Sequence, residues 1–217
     1  MFTGIVQHVG TVKSVIGSPG GSRIVIDVGP LADGLKTSDS MAVNGVCLTV
    51  ASVRHEIAEF DVIKETLRGT TTRKLESGCK VNLERSLVAG SGVDGHFVQG
   101  HIDGTAKVTK VERGTENRLE FSAPADITDT MVSKGSVAVD GVSLTLTDVG
   151  DGGFSVAMIP ETMKNTILSS LSEQQEVNVE TDILGKYIFK FLSGSVRNDK
   201  TLTNELSIDK LKRAGFA

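Results

Sequence analysis

The stretch SMAVNGVCLTV, Ser40–Val50, returns almost unchanged as SVAVDGVSLTL, Ser136–Leu146, and this recurrence decides the fold. The offset is 136 − 40 = 96. Seven of the eleven aligned positions are identical, and three of the four changes are mild: Met41 to Val137, Asn44 to Asp140 and Val50 to Leu146. The fourth is Cys47 to Ser143. The same offset relates ETLRGT (Glu65–Thr70) to ETMKNT (Glu161–Thr166) and VNLE (Val81–Glu84) to VNVE (Val177–Glu180). The repeat starts match more loosely, FTGIVQHVGT from Phe2 against FVQGHIDGT from Phe97. A period near 96 residues in a chain of 217 gives two domains of similar size, joined by the glycine-rich VAGSGVDG, Val88–Gly95.

Each repeat is written in short runs of Val, Ile and Thr broken by Gly, Pro, Asp and Ser, such as RIVIDVG, FDVI and CKVNLE, with GSPGG (Gly17–Gly21) as a turn between two strands. Helix is expected only briefly, after Glu65, after Glu161 and around LADGL. Many short antiparallel strands at this spacing predict one small closed barrel per repeat, because closure removes exposed sheet edges. In a strand, alternate side chains face opposite ways. Val46, Leu48 and Val50 therefore share an apolar face and Cys47 and Thr49 a polar one; Val142, Leu144 and Leu146 oppose Ser143 and Thr145 in the same way. Gly45 and Gly141, beside these polar pairs, are read as places where a flat ligand approaches the backbone without meeting a Cβ.

The final segment departs from the repeat. DILGKYIFKFLSG places Ile183, Leu184, Tyr187, Ile188, Phe191 and Leu192 on one helical face, with Lys186 and Lys190 opposite and Gly194 as a stop. Such a stripe needs cover, either the chain's own barrel or copies of the same helix. The tail SIDKLKRAGFA reads as a weak terminal helix or a frayed end.

Net charge is 23 − 27 = −4 without runs of one sign, so there is no electrostatic footprint for nucleic acid or an anionic membrane. No stretch approaches the roughly 18 apolar residues of a membrane span, and MFTGIVQ lacks the features of a signal peptide. The expected location is the cytoplasm. Cys47 and Cys79 occupy non-equivalent places and are not expected to pair, and His8, His55, His96 and His101 do not join them at zinc-like spacing.

The motifs MFTGIV, NGVCLTV with its echo DGVSLTL, KETLRGTT, VNLER, DGHFVQGHIDGTA and IPET together resemble the riboflavin synthases, the tandem lumazine-binding repeat family, over residues 1 to about 190. Asp94 stands where that family's GGHFVQGHIDGTA has its first glycine. The resemblance implies a mainly β fold of two closed, six-stranded Greek-key barrels, residues 1–95 and 96–182, followed by a helix and tail, 183–217, that build a homotrimer. It implies one substrate per barrel and a dismutation without cofactor or metal. Two molecules of 6,7-dimethyl-8-ribityllumazine exchange a four-carbon unit to give riboflavin and 5-amino-6-ribitylamino-2,4-pyrimidinedione. A reaction between two identical molecules calls for two similar pockets, which a duplicated barrel supplies. Differences such as Cys47/Ser143, Asn44/Asp140 and Ser38/Lys134 mark the division of labour and leave donor and acceptor barrels unassigned.

The same resemblance carries over the site. His101, in GHID, is the natural proton carrier near neutral pH, while His96, at the linker, is read as structural. Cys47 has no helix N-terminus or basic partner in the sequence to activate it, so it is given a polarising or water-positioning role. Ser143 and Thr145 are expected to bond the ring edge, with Asp182 orienting one of these hydroxyls. Gly4, Ile5 and Val6, like Gly100 and Ile102, offer backbone groups to the pteridine, flanked by Leu48 and Thr49, by Leu144, and by Lys134. Asp61, Val62, Ile63, Lys64, Glu65 and Thr66 in one repeat, and Met158, Ile159, Pro160, Glu161 and Thr162 in the other, line the ribityl pockets. The competing reading is a non-catalytic lumazine or flavin antenna or carrier built on the same repeat. A flavin reductase is disfavoured, since no nicotinamide-binding βαβ unit follows.

Overall fold

The computed structural model describes residues 1–114, 117–150 and 152–198, with side chains of the last helix described through Ser193. The first repeat builds β1 (His8–Ser18), β2 (Gly21–Asp27), β3 (Ser40–Val43), β4 (Val46–Arg54), β5 (Ile57–Ile63), the short α1 (Lys64–Gly69) and β6 (Lys80–Arg85). The second builds β7 (Gly104–Glu112), β8 (Asn117–Ser122), α2 (Ala125–Thr128), β9 (Ser136–Val139), β10 (Val142–Gly150), β11 (Gly153–Met158), α3 (Pro160–Asn165) and β12 (Glu176–Thr181). Each set of six strands closes into an antiparallel barrel, in the order β1-β2-β5-β4-β3-β6 and, equivalently, β7-β8-β11-β10-β9-β12. The helix expected around LADGL is a 3-10 turn, Gly29–Ala32.

The expected alternation holds. Val46, Leu48 and Val50 are buried while Thr49 is exposed and Cys47 half-buried, and Val142 to Leu146 repeat that order. β-bulges fall at matching places, between Val50 and Ser52 and between Leu146 and Asp148, where the extra residue adds the twist that closure requires. Each barrel has its own apolar core: Ile24, Ile26, Phe60 and Leu83 anchor the first, Leu119, Leu146, Val156 and Leu168 the second.

The opening motif makes two hairpins. Asn44 and Gly45 both have positive φ (45° and 78°), as do Asp140 and Gly141 (43° and 78°), the signature of the tight turn that matches strand twist. The two turns meet each other rather than a ligand. A Cβ on Gly45 would lie 2.7 Å from the Gly141 amide nitrogen, and one on Gly141 2.6 Å from that of Gly45. This corrects the reading of these glycines as a ligand platform: close approach of backbone to backbone is what excludes a side chain. Around them Asn82 donates from Nδ2 to the Asp140 carbonyl (2.9 Å) and Asn178 to the Asn44 carbonyl (2.8 Å). The Asn44 and Asp140 Oδ1 atoms accept from the Asn82 and Asn178 amides at 2.7 and 2.8 Å. This polar lock is buried and has approximate twofold symmetry, with the asparagine side-chain amides bonding across the barrel junction and the two turn oxygens bonding within their own barrels.

The last helix, α4, runs Ile183–Asn198 and so continues through Gly194, which was expected to stop it. Glycine in a helix costs about 1 kcal/mol relative to alanine, too little to end one by itself. Leu184, Tyr187, Ile188, Phe191 and Leu192 are 59–74% exposed. The tail SIDKLKRAGFA lies outside the described residues. Among the described residues no helix is long and apolar enough to cross a membrane.

Candidate functional site

The start of each repeat does not stay on its own barrel. Phe2 and Val98 pair as an antiparallel bridge, with Phe2 N donating to Val98 O (2.7 Å) and Val98 N to Phe2 O (3.1 Å). Phe2 is fully buried there with Ala42, Ala138 and Val98, a burial that contributes about 2–3 kcal/mol. From this bridge the chains diverge. Val6 packs against the core of the second barrel, and Ile102 against that of the first.

The crossing sets each glycine on the opposite repeat's polar strand. The Gly4 carbonyl accepts from Ser143 N (2.8 Å) and the Gly100 carbonyl from Cys47 N (2.9 Å). Both glycines have positive φ, 77° and 81°. A Cβ on Gly4 would sit 2.6 Å from the Ser143 Cβ, and one on Gly100 2.5 Å from the Cys47 Cβ, so only glycine fits. Two buried glutamates fix the segments. Glu84 accepts from Thr3 N (2.7 Å), Thr3 Oγ1 (2.8 Å) and Gly4 N (3.0 Å). Glu180 accepts from Gln99 N (2.6 Å) and Gly100 N (2.8 Å). Burial pushes the Glu84 carboxyl above the usual range, and the bonds from Thr3 and Gly4 oppose that rise.

The crossing brings Cys47 and Thr49 together with Gly100, His101 and Ile102 on the first barrel, and Ser143 and Thr145 with Gly4, Ile5 and Val6 on the second. His101 is exposed in the segment beside Cys47. Both cysteines are free. Lys134 takes the left-handed conformation (φ 67°) and donates its N–H to Leu146 O at 2.9 Å; Ser38 does the same in the first repeat (φ 74°, to Val50 O, 2.9 Å). The backbone is thus shared and only the exposed side chain differs. The two segments after β5 and β11 also match, with Ile63 and Ile159 62% and 65% exposed. The Thr66 and Thr162 carbonyls accept from Thr70 and Thr166, both at 2.7 Å.

His96, read as structural from its place at the linker, stands against the polar strand of the second barrel. Its Nδ1 lies 2.8 Å from Ser143 Oγ, and the ring is 8% exposed. Burial lowers its pKa, while the charge of Asp182 acts in the other direction. A neutral imidazole in this position either accepts the Ser143 proton or donates to its oxygen. Nε2 has no partner among the described residues. The second of the two histidines in GHFVQGH drew the proton-carrier role by resemblance; the signal for the first was its adjacency to Gly95, whose own Cβ would collide with Thr3 O and Ser143. The sequence also repeats Asn and Glu in VNLE and VNVE without disclosing their use. The structure gives Asn82 and Asn178 to the barrel lock, and Glu84 and Glu180 to the crossing segments.

The lumazine binding domain family matches the chain twice, over residues 3–86 and 99–182. A riboflavin synthase of Bacillus subtilis is 38% identical, over 91% of this chain and 93% of its own. Another, of Actinobacillus pleuropneumoniae, is 39% identical with both chains covered in full. Among solved structures, LumP complexed with riboflavin superposes with a TM-score of 0.77 at 29% identity, over 83% of this chain and 99% of LumP. LumP complexed with 6,7-dimethyl-8-(1'-D-ribityl)lumazine gives 0.76 at 27% identity, with the same coverage. Two barrels, each presenting a corresponding pair of side chains, Cys47 and Thr49 or Ser143 and Thr145, against a glycine lent by the other repeat, and a family match that falls once on each of them, place this chain in the lumazine-binding domain family.

Proposed function

We infer that the chain carries out the riboflavin synthase reaction, the dismutation of two molecules of 6,7-dimethyl-8-ribityllumazine into riboflavin and 5-amino-6-ribitylamino-2,4-pyrimidinedione. The observation that carries this is the duplicated strand-and-glycine arrangement, Cys47 against Gly100 and Ser143 against Gly4: two sites of one design in one chain suit a reaction whose two reactants are identical. Relatives named riboflavin synthase match over nearly the whole length. On this reading residues 1–95 and 96–182 are the two ligand-binding units, in the cytoplasm, and no cofactor takes part.

In the reaction a ring methyl of one lumazine loses a proton and the resulting carbanion adds to the other molecule. His101, beside Cys47, relays that proton. Cys47 and Ser143 place weak and strong hydrogen-bonding groups at corresponding points, the second tuned by His96 and Asp182, with Thr49 and Thr145 completing each polar face. The exposed segments Asp61–Thr66 and Met158–Thr162 hold the ribityl chains.

The two ligands meet between subunits. Gly4 and Gly100 each lie two residues from the Phe2–Val98 bridge, in opposite directions along antiparallel chains, which sets the two sites apart within one chain. Reacting atoms must come within about 3–3.5 Å. A pocket of one chain facing the other pocket of its neighbour removes that distance, and the apolar stripe of α4 supplies the assembly surface of a homotrimer.

The alternative is an antenna or carrier that binds the lumazine without turning it over, a reading favoured by the LumP structures with bound ligand. The purified chain, given 6,7-dimethyl-8-ribityllumazine alone, should release riboflavin and the pyrimidinedione in equal amounts. Tight binding with no riboflavin formed would assign it to the carriers.

A further inference from the structure

The two barrels differ on the outward face next to their site threonines. In the first, Arg23 on β2 pairs with Asp61 on β5, and its guanidinium grips both carboxylate oxygens, Nε to Oδ1 at 2.8 Å and NH2 to Oδ2 at 2.9 Å. Continuing the Val50–Phe60 pairing by one residue sets Asp61 opposite Thr49. In the second barrel the corresponding register pairs Arg118 on β8 with Ala157 on β11, and one step beyond Leu146–Val156 sets Ala157 opposite Thr145. The arginine is kept and its carboxylate is gone.

The fork of Arg118 has turned elsewhere. NH2 donates to Asp148 Oδ2 (2.7 Å) and Ser155 Oγ (2.9 Å). Nε has no hydrogen-bond partner among the described residues; Glu120 Oε1 is 3.9 Å away. Where Asp61 stands in the first barrel, the second has a slot of about 320 Å³ whose walls include Arg118, Thr147, Ala157, Met158, Ile159 and Pro160. The last three belong to the segment assigned to the ribityl chain. A guanidinium presents parallel N–H groups suited to a pair of oxygens.

We propose that this slot is a polyol subsite of the second barrel, in which Arg118 donates to neighbouring hydroxyls of the ligand's ribityl chain. The proposal rests on the lumazine-binding reading above. The two pockets then recognise one side chain with opposite polarity: the first offers the Asp61 carboxylate as acceptor, the second the Arg118 guanidinium as donor.

The test is fluorescence titration of the full chain with 6,7-dimethyl-8-ribityllumazine and with 6,7,8-trimethyllumazine, which has the ring but no polyol. Arg118→Met, and separately Ala157→Leu to fill the slot, should each weaken the ribityl compound about tenfold at one of the two classes of site, the effect of losing a hydrogen bond to a charged group. Binding of the trimethyl compound should be unchanged in both, which also shows that the variants fold. Unaltered ribityllumazine binding in both variants overturns the subsite, and so does an equal loss of both ligands. Failure of the unaltered chain to bind ribityllumazine would instead refute the proposed function itself, and the subsite with it.

Discussion

Asp140 is expected to make the barrel junction weaken as pH rises, and its counterpart Asn44 supplies an internal control. Both residues sit in the same hairpin turn, and each accepts a backbone N–H on Oδ1, from Asn178 at 2.8 Å and from Asn82 at 2.7 Å. Only one is ionisable. Burial pushes the Asp140 carboxyl from 3.8 up to about 7, and the bond from Asn178 offsets only part of that. The lysines lining the same groove are engaged elsewhere: Lys74 with Glu176 at 2.9 Å, Lys80 with the Thr11 hydroxyl at 2.8 Å.

Between pH 3.8 and about 7 the native state holds a proton that the unfolded chain has released. This contribution to stability is therefore fully present below the unfolded value and is lost as pH rises through about 7. At about 1.4 kcal/mol per pH unit, the loss by pH 8 is on the order of 4 kcal/mol. Asp140→Asn keeps the acceptor on Oδ1 and removes the charge, so the variant should outlast the unaltered chain at pH 8, by on the order of 10 °C in Tm for a chain of this size. At pH 4 the two should be nearly equal. Glu84, also raised by burial, titrates in the same direction in both proteins and cancels in the comparison. The assay is thermal unfolding by circular dichroism from pH 4 to 8.5. A variant that followed the unaltered profile would show that Asp140 is not the titrating group, and one less stable at pH 8 would refute the equivalence with Asn44.

His101→Gln should lower turnover about a hundredfold, the usual scale for a lost proton carrier, with lumazine binding retained; equal loss of both would make it a positioning group. Ending the chain at Asp182 should leave folded protein that sediments as a monomer, and a surviving trimer would show that the barrels associate without α4. A chain with Cys47→Asp and Thr49→Asp, refolded together with one carrying Ser143→Asp and Thr145→Asp, should recover part of the activity that each lacks alone. Mixed oligomers seen by mass spectrometry without recovered activity would place both ligands within one chain.

The barrels were legible because their signal is local. Alternation in NGVCLTV and DGVSLTL, read once, predicts burial at Val46, Leu48 and Val50, and the repeat doubles its weight. The crossing of Gly4 and Gly100 was not legible, because nothing near either glycine in sequence names Ser143 or Cys47 as its neighbour; only distant packing does. Gly45 and Gly141 show the same limit from the other side. Their lack of a side chain was visible, yet a ligand and another glycine make the same demand for space. His96 reads as structural in the sequence because its polar partner, Ser143, is 47 residues away. Gly194 misled because a single glycine lowers helix stability without fixing where a helix ends.

Compared within the chain, the two copies separate what holds the barrels from the outward face proposed to meet a ligand. The glycines of the crossing and of the hairpin turns, the asparagines of the lock and the clamping glutamates are identical between repeats. Each bears on backbone, and at the glycines even one added methyl group has nowhere to go. The outward face is where the copies part: Cys47 against Ser143, Asp61 against Ala157, Ser38 against Lys134. On the proposed reading, two sites that treat one molecule as donor and the other as acceptor have reason to diverge there. Asn44 against Asp140 breaks this division, since it lies in the buried lock with no ligand to serve. Its backbone bonds are those of its counterpart, so what the change alters is the other half of the side chain, where an amide donor becomes an ionisable oxygen.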